Sequence, residues 1–135
     1  MAALKKINQP ARKIMDILTL DLRHPGDHKK IDNTEKTFIP VTVECIDLCA
    51  SGTIFSVCHY GEQNGDLMRD PEITFLRDER GDYYPLSFQN DYLGIHRESV
   101  LFSDGKPSRF YPSIQRDQAV FVGAWMRNIK QQQGL

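Results

Sequence analysis

Cysteine is scarce in this chain, and neither sign of charge is in excess: three cysteines stand beside 17 basic and 18 acidic residues. Each shortage removes a class of protein. Secreted disulfide scaffolds carry cysteines in even numbers and at higher density, so Cys45, Cys49 and Cys58 argue for a reducing compartment. The first residues, Met1-Ala-Ala-Leu-Lys-Lys-Ile, lack the apolar stretch of a secretory signal. No apolar run approaches the ~20 residues of a membrane span. Together these absences predict a cytoplasmic protein with no membrane partner. A strongly basic domain, the usual footprint of binding by counterion release, is missing. So is the acidic excess of a DNA mimic. There is no glycine-rich loop opening a helix and no Gly-x-Ser-x-Gly elbow. No cofactor is expected, and enzymatic activity is disfavoured.

What remains is an ordinary globular composition. A chain of 135 residues matches the commonest size of one domain. At this length roughly two-thirds of the unfolded surface is buried on folding, enough for a core without disulfides or a structural metal. The expectation is a single domain over 1–135.

The apolar periodicity changes along the chain. Ala11, Ile14, Met15, Leu18 and Leu22 form one helical stripe over residues 9–22, with Pro10 suited to the first turn. Residues 24–37 have Ile31 as their only strongly apolar residue and read as a long, mobile polar loop. From Phe38 the period becomes two. Val41, Val43 and Cys45 alternate with Thr42 and Glu44, and further strands are predicted at Thr53–Tyr60, Glu72–Arg77, Tyr83–Phe88 and Ile95–Phe102. Ser103-Asp104-Gly105-Lys106-Pro107 breaks the sheet. Ser113 is the expected N-cap of a second helix, from about Ile114 to Gln131, with residues 131–135 as a frayed tail. The predicted fold is therefore α+β: a five-stranded antiparallel meander covered on one face by an N-terminal and a C-terminal helix.

The densest polar constellation is His59–Glu72. Its candidate binding residues are His59, Glu62, Asn64, Asp66, Arg69, Asp70 and Glu72. Asn64-Gly65 is a strong hairpin signal, because both residues tolerate φ > 0, and Asp70-Pro71 predicts an irregularity in the returning strand. Two readings compete. In one, His59, Asp66, Asp70 and Glu72 gather oxygen ligands and an imidazole around Mg²⁺ or Mn²⁺. In the other, which we prefer, the carboxylates organise a turn. The nuclease form of the metal reading needs Glu-x-Lys, whereas Glu72 is followed by Ile73 and Thr74. A zinc site of Cys45, Cys49, Cys58 and His59 meets a second objection: Cys58 and His59 are adjacent on a strand and face opposite ways. Buried reduced cysteines are the better reading.

Aromatic residues (Tyr83, Tyr84, Phe88, Tyr92, Phe102, Phe110, Tyr111) are interleaved with Arg77, Arg97 and Arg109. Such a face stacks bases or binds protein, but filling the core is the preferred explanation.

The runs Tyr60-Gly-Glu-Gln-Asn-Gly-Asp-Leu-Met-Arg-Asp-Pro-Glu72 and Tyr84-Pro-Leu-Ser-Phe-Gln-Asn-Asp-Tyr-Leu-Gly94 carry a resemblance. Over roughly Phe38–Ile129 the chain resembles a family of small uncharacterised proteins, a domain of unknown function, from bacterial mobile elements, phages and conjugative plasmids. The resemblance implies a genomic setting and transfers no catalytic residue. The expected function is a non-enzymatic accessory module that binds a protein partner, with nucleic acid as the less favoured partner. A metal-dependent hydrolase acting on nucleic acid or phosphoester, and an inhibitor of host defence, are the alternatives.

Overall fold

The computed structural model describes residues 4–35 and 37–135. Helix α1 spans Gln9–Leu18, shorter than the apolar stripe suggested. Its N-cap is Asn8, whose side-chain oxygen accepts from the Ala11 N–H at 2.9 Å. The chain leaves the helix through Thr19 and through Asp21, which takes a left-handed φ of 68°. Leu22 nevertheless stays in the core.

The sheet has six strands where five were expected. They are β1 (His28–Ile31), β2 (Val41–Cys49), β3 (Gly52–Gln63), β4 (Asp66–Arg77), β5 (Tyr83–Asn90) and β6 (Ile95–Glu98). All neighbours pair antiparallel in chain order, so the predicted meander holds. The additional strand, β1, lies inside the stretch 24–37 that was expected to be a loop. It escaped the pattern because it is an edge strand carrying Lys29 and Lys30, the residues that protect an edge from further pairing. Lys29 Nζ also donates to the carbonyls of Ile17 and Leu20, tying this edge to the end of α1.

The predicted strand Ile95–Phe102 is divided at Ser99. Its second half begins β7 (Val100–Ser103), which pairs with β8 (Lys106–Phe110) in a separate hairpin. Asp104 and Gly105, both at positive φ, make the turn where the sheet was expected to stop. Ser99 is fully buried. Its N–H donates to Leu86 O, its carbonyl accepts from Tyr111 N–H, and its hydroxyl lies against the carbonyls of Pro85 and Leu86.

Helix α2 runs Pro112–Gln133. Its N-cap is Tyr111 rather than Ser113, because Pro112 already supplies the helical φ without needing a donor partner. The tail is docked rather than frayed. Gln133 is buried, Gly134 closes the helix in the left-handed conformation, and Leu135 packs on the core.

The layers follow from alternation. Val41, Val43, Cys45, Phe55, Val57, Ile73, Phe75 and Tyr83 line one sheet face. Ala11, Ile14, Met15 and Leu18 of α1 pack on it together with Val122, Trp125, Met126 and Ile129 of α2. On the opposite face Leu76, Leu86 and Val100 meet Ile54, Phe102 and Phe110 beneath the β7–β8 hairpin. Tyr83 belongs to the main core, and Phe102 and Phe110 to this smaller one. Tyr92 and Tyr111 remain exposed.

Candidate functional site

Strands β3 and β4 are the longest of the sheet, at 12 residues each. Strand β2 accompanies β3 only as far as the Thr42–Cys58 pair, and β5 accompanies β4 only to the Glu72–Gln89 pair. Beyond them, the pairs from Tyr60–Arg69 to Gln63–Asp66 have no third strand beside them among the described residues. The two strands therefore project as a ribbon. Its turn is Asn64-Gly65, with φ of 54° and 85°, as the sequence signalled. The expected irregularity is present as well. Cys58 pairs with Glu72 and Tyr60 with Arg69, so His59 faces both Asp70 and Pro71.

The β5–β6 turn braces this ribbon from the side. Asp91 N–H donates to Arg69 O, and Asp91 Oδ2 accepts from Arg69 N–H at 2.8 Å and from Arg69 Nε at 3.2 Å. Those contacts, the Arg69 N–H first, hold the Asp91 carboxyl below its usual range. Arg69 also donates to Gln89 Oε1 at 3.0 Å. Further out, the Tyr92 hydroxyl donates to Glu62 O at 3.3 Å. This contact explains Gly61, where a Cβ would collide with the Tyr92 hydroxyl.

The bulge divides the predicted site residues between two environments. His59 is buried on the helix face, its ring edge-on to Trp125 with centroids 5.5 Å apart. Its Nδ1 lies 3.2 Å from Pro40 O. Burial lowers the His59 pKa, partly countered by the Pro40 carbonyl and the Asp70 charge, so the neutral imidazole is favoured. Asp70 accepts from Asn90 Nδ2 at 2.9 Å. Glu72 pairs instead with Cys58 on the other sheet face and accepts from Ser56 Oγ at 2.6 Å. Arg69 Nη1 stands 3.9 Å from Glu72. Glu62, Asn64 and Asp66 are exposed towards the tip. The structure thus joins Arg69 to Glu72 and sets Asp70 near His59, but it does not bring His59, Asp66, Asp70 and Glu72 to one point.

The ionisable groups on the two faces of the bulge are shaped by burial. Burial and the neighbouring Glu72 charge push the Cys58 thiol up to about 12, which leaves it protonated at neutral pH. Burial, with Cys58 and Glu72 nearby, raises Tyr60 to about 12 as well. Cys45 lies in the main core, whereas Cys58 lies on the opposite sheet face; all three cysteines are free. Among the described residues, no three His, Cys, Asp or Glu side chains are placed to hold a metal ion. No helix of the described residues is long and apolar enough to cross a membrane.

Residues outside the predicted set complete the site. Leu67 is 70% exposed and Leu93 68%, with Tyr60 and Tyr92 also exposed on the ribbon and its brace. Gln89, Asn90 and Asp91 supply the bracing side chains. A sequence signal existed for these three: Gln-Asn-Asp followed closely by Gly94 marks a turn rich in side-chain acceptors.

A family model described as a domain of unknown function (DUF6908) matches residues 9–135. No curated protein and no solved structure matches the chain.

Proposed function

The chain belongs to the DUF6908 family, a domain of unknown function, and from its own surfaces we propose that it is a non-enzymatic module binding a protein partner through the ribbon tip. The observation that carries this reading is the exposure of Leu67 and Leu93, at 70% and 68%, on a projection whose backbone is braced. A two-stranded ribbon alone is marginally stable in water. Here Asp91, Gln89 and Tyr92 hold it in place. Large apolar side chains displayed on a pre-ordered element lose little further freedom on binding, and their burial is favourable by about 25 cal/mol per Å².

Charge selects the class of partner. Residues 59–72 carry four carboxylates and one guanidinium. Such a tip repels phosphates, which disfavours nucleic acid here. It suits a protein surface with apolar pockets and basic residues. The mobile-element setting, and with it an accessory role, is supported by the sequence resemblance of Tyr60–Glu72 and Tyr84–Gly94.

The test is affinity capture from the native host with the wild-type protein and a Leu67→Asp, Leu93→Asp variant. Both positions are exposed, so the circular dichroism and melting temperature of the variant should match wild type. The expected result is a partner retained by wild type and lost at least tenfold by the variant. Equal retention would place the binding surface elsewhere.

A further inference from the structure

The ribbon tip has a complementary surface on the same molecule. Helices α1 and α2 leave a groove of about 430 Å³ between them, within the ~300–1,000 Å³ range of ligand pockets. Pro10, Ile14 and Met126 contribute its apolar lining, and Lys13, Arg127 and Lys130 supply three positive charges. Among the described residues, none of these cations forms an ion pair, and neither do Glu62 and Asp66 at the ribbon tip. The tip is the converse of the groove. Leu67 stands opposite Glu62 in the ladder, on the same face of the ribbon, while Asp66 lies on the other face at the turn, so the tip offers one apolar side chain with a carboxylate beside it and a second carboxylate behind.

We infer that a partner of the ribbon is a second copy of this chain, with the tip of one copy seated in the α1–α2 groove of the next. The inference rests on the ribbon being the binding element, and it names the partner. Among the described residues no ion pair joins the two surfaces within one copy, which leaves both charge sets available to another molecule. It joins two different patches, the tip of one copy and the groove of another. It closes a dimer where two copies engage reciprocally and otherwise extends into a chain. Exposed carboxylates and cations supply orientation and much of the attraction, so the association weakens as salt rises.

The experiment places a photo-crosslinking amino acid at Gln63, an exposed tip position that leaves Leu67 intact. Purified protein alone should give an adduct of doubled mass, mapped to peptides from α1 or the second half of α2. A Lys13→Glu, Lys130→Glu variant should lower its yield at least tenfold. Adding Glu62→Lys and Asp66→Lys to that variant should restore it, because both surfaces are then reversed. Lack of an adduct, an adduct mapped elsewhere, or indifference to the charge reversals would overturn the inference. If purified protein gives no self-adduct but Gln63 crosslinks to another protein in the host, self-association fails while the ribbon reading survives. Absence of adducts in both settings defeats both.

Discussion

Truncating Gln133 to alanine should destabilise the protein by about 2 kcal/mol, although the residue stands two places from the C-terminal end of the chain. Gln133 is 1% exposed. Its Oε1 accepts from Asn33 N–H at 2.8 Å, and its Nε2 donates to Ile39 O at 3.4 Å. The substitution removes both bonds and leaves the bond from Asn33 Nδ2 to the Gln133 main-chain carbonyl. A typical hydrogen bond contributes about 0.5–1.5 kcal/mol net, with the longer one at the lower end. Loss of buried methylene contact adds about 0.8 kcal/mol. For a chain of this length 1 kcal/mol corresponds to about 4 °C, so the melting temperature should fall by about 8 °C. Gln131→Ala is the control: it is exposed in the same helical turn and should change stability by no more than about 0.5 kcal/mol. Thermal melting by circular dichroism and urea titration both read the difference. Equal melting temperatures for the two variants would refute the docked tail and its contacts with Asn33 and Ile39.

Three further outcomes are expected. A maleimide should label half-buried Cys49 in the native protein, and Cys45 and Cys58 only after unfolding, since burial raises both of those thiols; mass spectrometry of labelled peptides reads this, and early labelling of Cys58 would contradict its placement. Folding depresses the His59 pKa below its ordinary 6.5, so the fold is most favoured above that pH. Its contribution is lost as pH falls from 6.5 through the lowered value. The single tryptophan, Trp125, lies against His59 and should report this titration as a fluorescence change with a midpoint below 6.5, absent in His59→Gln. A midpoint at or above 6.5, or a transition that persists in the variant, would count against the buried imidazole. Finally, Gly61→Ala should displace the Tyr92 ring and detach its hydroxyl from Glu62 O, raising amide exchange at the ribbon tip while leaving the core unchanged. Unaltered exchange would show that Tyr92 is no brace.

Much of this architecture was legible because one face of each element is buried. The stripe from Ala11 to Leu18 and the alternation of Val41, Val43 and Cys45 both report a single core. Alternation also placed His59 on the face of Phe55 and Val57, opposite Cys58. Strand β1 was hidden because an edge of four residues, two of them lysine, needs no apolar pattern. The β7–β8 hairpin was hidden for a different reason. Only Val100 among its residues is fully buried, and its partners lie far away in sequence. Within the site, the Asn64-Gly65 turn and the Asp70-Pro71 irregularity were local and therefore readable. The brace was not. Arg69 meets Gln89 and Asp91 through a β4–β5 register that shifts at Thr74/Phe75, and no local spacing reveals that shift. Leu67 likewise gave no signal, since an exposed leucine and a buried one look alike in sequence.

Hydrogen exchange on the captured complex tests the central claim most directly. If the ribbon is the binding element, amides of residues 60–69 and of the bracing turn 90–94 gain protection when the partner binds, and where that partner is a second copy the α1–α2 groove gains it as well. Protection confined to other surfaces, such as the exposed side of α2 around Val120, with residues 60–69 exchanging as in the free protein, would contradict it.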